Sequence, residues 1–373
     1  MKRLSIAVLA LALNSALSAV EATDTLKPLV EFANKGDADA NAQLGVLSLL
    51  KDDFENALKY LKVASDSQHA FANRQLMMMF ADGLGVKRDM TEATKYSNRS
   101  VHSEKGDNYI AVRKLAKMSP EKKALLSICR KQLLDSLKKG ITDGTLGALH
   151  YLATLQVMGR DEYRKDPAGD IRLFERAANK GSVVAMNQIG VLSEMLGDEA
   201  AALKWYTLAA EKNYTPAMYS LATLYQTGHG NFKNSAKFYN WMKRAADLGD
   251  NIAIQRMISF CALEEPGFEG RQKETVDWLK KGAANDDSVS QCFLGEMYLS
   301  GGPDLKIDVK QGIGLLQKAC DAQEPRAYYQ LGLAYLNGNG VIKDKQKAKA
   351  LLQESALRGY EDAPQALKEF KFD

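Results

Sequence analysis

Residues 327–344 read AYYQLGLAYLNGNGVIKD, and the fold follows from this stretch. Ala327 and Leu331 lie four apart, on one face of a helix, so the small residue lets a neighbouring helix approach while the large one fills the space beside it. The run closes with Gly338-Asn-Gly340-Val-Ile-Lys343-Asp344. Here Gly can end the helix in a left-handed conformation at little cost, and the Asp is placed to cap a second helix.

The same small-then-large pair recurs along the chain: Ala40/Leu44, Ala72/Leu76, Ala111/Leu115, Ala148/Leu152, Ala185/Ile189, Ala217/Leu221, Ala253/Met257, Ser290/Leu294 and Ala327/Leu331. Successive large members are 32, 39, 37, 37, 32, 36, 37 and 37 residues apart, and a partial tenth pair, Ala363/Leu367, follows 36 later. This periodicity defines nine repeats, each opening with a helix A. A second apolar-periodic stretch, helix B, ends each repeat. Small residues mark its close at Ala177/Ala178, Ala209/Ala210, Ala245/Ala246 and Ala283/Ala284. Between A and B, Gly83-Leu-Gly85 and Gly228-His-Gly230 repeat the Gly-rich turn, followed by Asp89 and Asn234 as caps; Asp89 and Glu92 have capping-box spacing.

The Ala-x-x-x-Leu-Gly start (Ala327 to Gly332), the Gly-x-Gly-x-x-Lys/Arg loop and the Ala-Ala-x-x-Gly ending (Ala245 to Gly249) resemble the Sel1-like repeat family over about residues 38–370. That family is related to the tetratricopeptide repeats but has a longer, Gly-rich A–B loop. The resemblance implies an all-α fold: a right-handed α-solenoid, or superhelix, of about nine helix-turn-helix repeats with a C-terminal capping helix near Ala363 to Phe372. No single helix pair can bury both its faces, so stability must come from stacking. Repeats one and five lack the Gly loop. The third, about 107–146, departs most, with Ser119-Pro120-Glu121 where the loop belongs and an atypical B helix from Lys131 to Lys139. A kink, an insertion and simple drift all fit that departure.

The first residues carry Lys2 and Arg3, then an apolar run to Leu17 and small residues beyond it, the layout of a secretory signal peptide. We expect residues 1–19 to be this signal, with cleavage between 18 and 22, and 23–373 to form one solenoid in the periplasm or outside the cell. No later stretch approaches the roughly 20 apolar residues of a spanning helix, so no stable membrane anchor is expected. The chain has 50 basic and 46 acidic residues; without Lys2 and Arg3 the balance is 48 to 46, interspersed throughout, and gives no nucleic-acid footprint.

Catalytic and metal patterns are weak. His69, His102, His150 and His229 fall in different repeats without metal-ligand spacing, so neither a metal nor a cofactor is expected. The Gly-x-Gly turns follow a helix rather than a strand and lack the remaining phosphate-loop residues. Members of the resembled family have been labelled penicillin-hydrolysing. Ser119-Pro-Glu-Lys122 and Ser136-Leu-Lys-Lys139 match Ser-x-x-Lys, but neither is accompanied by Ser-Asp-Asn or Lys-Thr-Gly, so no catalytic residues are assigned. Of four cysteines, Cys261 and Cys320 take packing slots, Cys129 lies in the atypical repeat, and a Cys292–Cys320 bridge within repeat eight is left open.

If the tetratricopeptide register holds, the residue two before each ladder position faces the concave groove. This stripe holds Arg74, Arg113, His150, Asn187, Tyr219, Gln255, Cys292 and Tyr329, and the position two after the ladder adds Lys117 and Glu296. Arg and Tyr are favoured at binding hot spots. The resulting expectation is a non-enzymatic periplasmic scaffold or regulator holding a partner protein. The alternatives are an immunity protein against a secreted toxin such as a phospholipase and, more remotely, a β-lactamase-like hydrolase.

Overall fold

The fold is given by a computed structural model that describes residues 27–100, 133, 135–157, 167–228, 233–263, 270–271, 273–302 and 305–370. The signal peptide, Arg113, Lys117, Ser119, Cys129 and most of the third repeat lie outside these residues. Among the described residues, regular structure is helical apart from a single isolated bridge between Gly302 and Leu305. The helices form two compact bodies, one ending at Lys233 and one running from Asn234.

The first body holds α1 (Lys27–Asn34), α2 (Ala38–Leu49), α3 (Phe54–Asp66), α4 (Ala70–Asp82), α5 (Leu146–Val157), α6 (Pro167–Ala178), α7 (Val183–Met195), α8 (Glu199–Glu211) and α9 (Thr215–Thr227). Further helical stretches cover 90–100 and 135–143. The second body holds α10 (Ser235–Asp247), α11 (Asn251–Leu263), α12 (Glu274–Ala284), α13 (Ser288–Ser300), α14 (Val309–Asp321), α15 (Pro325–Asn337), α16 (Lys345–Leu357) and α17 (Ala363–Glu369). Within each body the A helix packs on the B helix that follows it, α2 on α3, α5 on α6, α7 on α8, α11 on α12, α13 on α14 and α15 on α16, as in an all-α repeat solenoid.

The small-and-large ladder is the core. Ala72, Leu76, Ala217, Leu221, Ala253, Met257 and Ala327 are fully buried, and Leu44, Leu152, Ile189, Leu294 and Leu331 are no more than 3% exposed. The B-helix alanines at 177, 178, 209, 210, 245 and 246 are buried as well. In repeat seven the slot falls one residue earlier than the Ala283/Ala284 pair suggested. Gly282 is buried there because a Cβ on it would lie 2.1 Å from Ser290 Oγ. At the C-terminus α17 buries Ala363 and Ala366, whereas Phe370 stays 38% exposed.

Helix starts follow the capping residues. Asp37, Asp53, Ser182, Asp198, Asn234, Asp287, Asp308 and Asp344 each accept a first-turn N–H. Gly83 and Gly338 end α4 and α15 in the left-handed conformation, but Gly228, at φ −57°, does not. Among the described residues, a second left-handed position, eight residues before the ladder residue, turns helix B into the next helix A. It is occupied by Gly36, Gln68, Gly144, Gly181, Asn213, Gly249, Asp286, Gln323 and Gly359. The repeat ending at Gly249 marks this turn in the sequence, but the other repeats vary the residue from Gly to Gln, which hides the common position.

One feature of the first body goes beyond nearest-neighbour stacking. Gly147 N at the start of α5 donates to Asp52 Oδ1 at 3.1 Å, and the backbone of Gly147 lies so close to Leu49 that a Cβ would fall 1.7 Å from its carbonyl oxygen. Phe71 and Tyr151 pack edge to face at 5.9 Å, and Arg88 Nη2 donates to Gly181 O at 3.0 Å. Repeats one and two therefore meet repeats four and five directly, across about a hundred residues of sequence.

In the second body Gly295 and Gly312 face each other. A Cβ on the first would lie 3.0 Å from the carbonyl oxygen of the second, and the reverse distance is 2.9 Å. Gly295→Ala should destabilise the fold by about 1–3 kcal/mol, since backbone must move to admit the methyl. Gly314 in the same helix α14 has nothing within 4 Å of its Cβ position, so Gly314→Ala should stabilise by up to about 1 kcal/mol. Urea unfolding of the two variants beside the parent would read both signs.

Candidate partner-binding site

In the second body Gln255, Glu296 and Tyr329 of the stripe are each held by a side chain from another part of the chain. Gln255 Nε2 on α11 donates to Asp287 Oδ1 at 2.7 Å. Asp287 is fully buried, and its other oxygen accepts from Ser290 N and Ser290 Oγ at 2.8 and 2.5 Å, so Gln255 ties one A helix to the cap of the next. Glu296 on α13 receives a two-pronged bond from Arg326 on α15, Nε at 2.6 Å and Nη2 at 2.7 Å. Planar forks of this kind fix orientation as well as charge. The Glu296 hydrogen bond holds the Arg326 guanidinium well above its ordinary pKa range.

Aromatic rings extend this pair. The Arg326 guanidinium stacks 4.4 Å from the Phe293 ring centroid, and Tyr329 packs on Tyr360 at 5.0 Å. Arg326 and Tyr360 are also close enough for the cation to act on the phenol. Phe293, Glu296, Arg326, Tyr329 and Tyr360 are all half-buried, so together they form one ordered, partly open strip. The positions two before and two after the ladder named only Glu296 and Tyr329 of this set. Arg326 was within reach of the same logic, standing five residues before Leu331, hence near Tyr329 on the helix surface. Phe293 and Tyr360 carried no such signal.

In the first body the stripe is divided. Arg74 and Tyr219 are half-buried, whereas His150 is 2% and Asn187 7% exposed, which corrects the expectation that these two line an open groove. Cys292, in the second body, is likewise only 1% exposed. His150 is covered because repeats two, four and five converge on Asp82. The Asp82 side chain is 3% exposed, and its Oδ2 accepts from His150 Nε2 at 2.7 Å and from the Ser182 hydroxyl. Oδ1 accepts from Val183 N at 2.8 Å, in the first turn of α7.

Asp, His and Ser thus gather in one buried cluster, but not as a nucleophilic relay. In a relay the imidazole stands between carboxylate and hydroxyl. Here both donate to the same carboxylate, and Ser182 Oγ also accepts the Ala185 N–H as an N-cap. The cluster joins three repeats. Burial alone would raise the Asp82 pKa, but the His150 hydrogen bond and charge, with the Ser182 and Val183 donors, outweigh it and hold the carboxyl below 3.8.

The cysteines serve packing. Cys261, Cys292 and Cys320 are buried and free, so repeat eight has no Cys292–Cys320 bridge. Cys292 Sγ instead points to Glu296 Oε1 at 3.5 Å, and Cys320 shares a core cluster with Leu316, Ala327 and Leu331. Burial pushes the Cys261 thiol up to about 11 and that of Cys320 to about 12, which makes both poor nucleophiles. Among the described residues, no His, Cys, Asp and Glu groups are arranged to hold a metal ion, and no helix is long and apolar enough to cross a membrane.

The helix-pair geometry and the Gly-rich loops agree with a family model. The Sel1 repeat model matches residues 70–101, 147–182, 184–214, 215–250, 288–323 and 325–360, more than half of the chain. The chain belongs to the Sel1 repeat family. Relatives include chitin synthase regulatory factor 3 of Schizosaccharomyces pombe, 24% identical over 258 residues, 65% of this chain and 28% of that protein. DAP3-binding cell death enhancer 1 of Rattus norvegicus is 26% identical over 187 residues, 50% of this chain and 36% of the relative. This Sel1 chain therefore spans about a third of those relatives' length. Among solved structures, a Sel1 repeat protein from Oxalobacter formigenes has a TM-score of 0.48 at 22% identity, covering 93% of this chain and 90% of the other. A protective antigen of uropathogenic Escherichia coli, also at 22% identity, has a TM-score of 0.49 over 92% and 82%.

Replacing Asp82 by Asn should cost about 3–5 kcal/mol, because an amide NH2 cannot accept from the donors that surround it. The charge contribution has a definite sign. A carboxyl whose folded pKa is depressed stabilises the protein above its unfolded value and ceases to do so as pH falls through the folded one. The gap between wild type and Asp82→Asn in urea midpoints should therefore be full at neutral pH and shrink below about pH 4.

Proposed function

We propose that this Sel1 repeat protein is a non-catalytic scaffold or regulator that acts outside the cytoplasm by holding a partner protein against the A-helix face of its second body. The strip from Phe293 to Tyr360 carries the reading. Its Arg and Tyr side chains are ordered before any partner arrives, since Arg326 is held by Glu296 and Phe293 and Tyr329 rests on Tyr360. Binding groups whose rotamers are already fixed lose less entropy on complex formation. Arg and Tyr are also the side chains that most often dominate interface energies.

The relatives support the general role. One is named for regulating a synthase and another for binding a protein, and neither name describes a reaction of its own. The leader-like residues 1–19 motivate the location. The partner envisaged is an envelope protein or a secreted toxin of another cell.

A photo-crosslinking amino acid at position 329 should capture one discrete protein when the chain is expressed in its own host, and the same probe at Lys349 on helix α16 should not. Equal capture at both positions, or none at 329 from a folded chain, would reject the groove. The location is read separately: fractionation should place the chain outside the cytoplasm with its N-terminus between residues 19 and 23.

A further inference from the structure

The strip changes character at its C-terminal end. Glu296 stands two residues after the ladder residue Leu294 and Arg326 five before the next, Leu331, and side chains at these two positions form the fork. One repeat later the same two positions hold Leu333 and Asp362. An acid has replaced the guanidinium, and the residue at the facing position cannot bond to it. Glu369, two after Leu367, adds a second acid at the position that Glu296 fills in its own repeat. Both carboxylates are exposed, and among the described residues both meet neutral donors. Asp362 caps no N–H of α17 and lies within hydrogen-bonding reach of the Tyr360 hydroxyl, and Glu369 accepts from Gln365 Nε2 at 2.7 Å.

These acids flank the ring pair. Burial, with the charges of Asp362 and Glu369, pushes the Tyr329 phenol up, so both carboxylates lie beside that ring. Tyr329 and Tyr360 are half-buried, 5.0 Å apart and tilted by 47°. The neighbouring cations are engaged or turned away. Arg326 lies near Tyr360 but is taken up by Glu296. Arg358 Nη1 donates to Gln323 Oε1 at 3.0 Å, and its Nη2 pairs with Glu354. Lys368 stands about 100° round α17 from Glu369 and about 120° from Asp362.

We infer that the partner supplies an Arg or Lys side chain here, its stem laid against the Tyr329–Tyr360 pair and its cation between Asp362 and Glu369. The inference deepens the holding role proposed above and rests on it: what the strip holds is a basic segment of a protein. Two carboxylates that lack a cation, beside two tyrosine rings, complement an organic cation, which gains from the ring faces as well as from the acids. A hydrated metal ion would gain from the acids alone. The contact repeats the arrangement one repeat earlier, where Arg326 lies on Phe293 and forks to Glu296, except that the cation now comes from outside the chain.

The test is fluorescence anisotropy of a labelled peptide of alternating Arg and Ala, titrated with the full chain beside its citrulline analogue, which keeps the shape and loses the charge. Saturable binding is expected for the Arg peptide, weakening as salt rises, and none for the citrulline peptide. The pair Asp362→Asn/Glu369→Gln should lower affinity about tenfold while leaving the circular-dichroism melting curve unchanged. Tyr329→Leu should lose about threefold and Tyr329→Phe nothing, since Phe keeps the ring face. Asp286→Asn/Asp321→Asn, an equal charge change at exposed acids of earlier turns in the same body, should bind as the parent does. Equal binding of the two peptides, no binding of the Arg peptide, or equal losses in the two double variants would overturn the inference. Capture at position 329 that persists in Asp362→Asn/Glu369→Gln, with the Arg peptide unbound, would overturn it while leaving the holding role in place.

Discussion

The distance to which helix A can approach helix B governs the rest of the structure. The residue after the ladder position is Gly45, Gly190, Gly295 or Gly332 in four repeats, and the B-helix side chain over it is Leu61, Tyr206, Leu316 or Leu352. A Cβ on the glycine would meet these side chains at 2.5 to 3.1 Å, so the missing methyl and the large partner are two halves of one contact. Where the position holds Ala222 instead, that alanine is fully buried. Close packing of this kind requires complementary volumes rather than particular residues, and it explains how repeats of unlike sequence keep one geometry.

The fold was legible because burial obeys helical periodicity. A small residue and a large one four apart can be recognised without knowing what lies opposite, and caps and left-handed glycines add local chemistry at fixed offsets. The single-residue slip at Gly282 shows the limit: Ala283/Ala284 fit the small-residue pattern, yet the neighbour that decides is Ser290. Asp82 was not legible at all. Its partners His150 and Ser182 are 68 and 100 residues away, and nothing within any one repeat distinguishes an aspartate at a helix end that turns inward from one that stays in water.

The candidate site was legible in part, for the same reason. Counting from the ladder places a residue on a helix surface, but whether that surface stays open depends on other repeats. At His150 it is closed by the convergence on Asp82, and the imidazole there becomes an internal fastener; Asn187 is buried as well. At Glu296 and Tyr329 it remains partly open. Even so, the side chains that organise the strip, Phe293 and Tyr360, lie off the counted positions, because contacts between helices follow neighbouring rows as well as the same row.

In a repeat protein the functional unit is therefore a register, not a motif. Successive helices each contribute a residue or two, about 37 positions apart, as the ladder from Met257 through Leu294 to Leu331 is spaced. Catalytic motifs are recognisable because one reaction demands several groups at one point. A binding strip demands only that successive repeats keep the same face exposed and supply compatible side chains. Its specificity then resides in the pairs that fix each side chain, such as Glu296 on Arg326, and these pairs can change one repeat at a time while the ladder beneath them is unchanged.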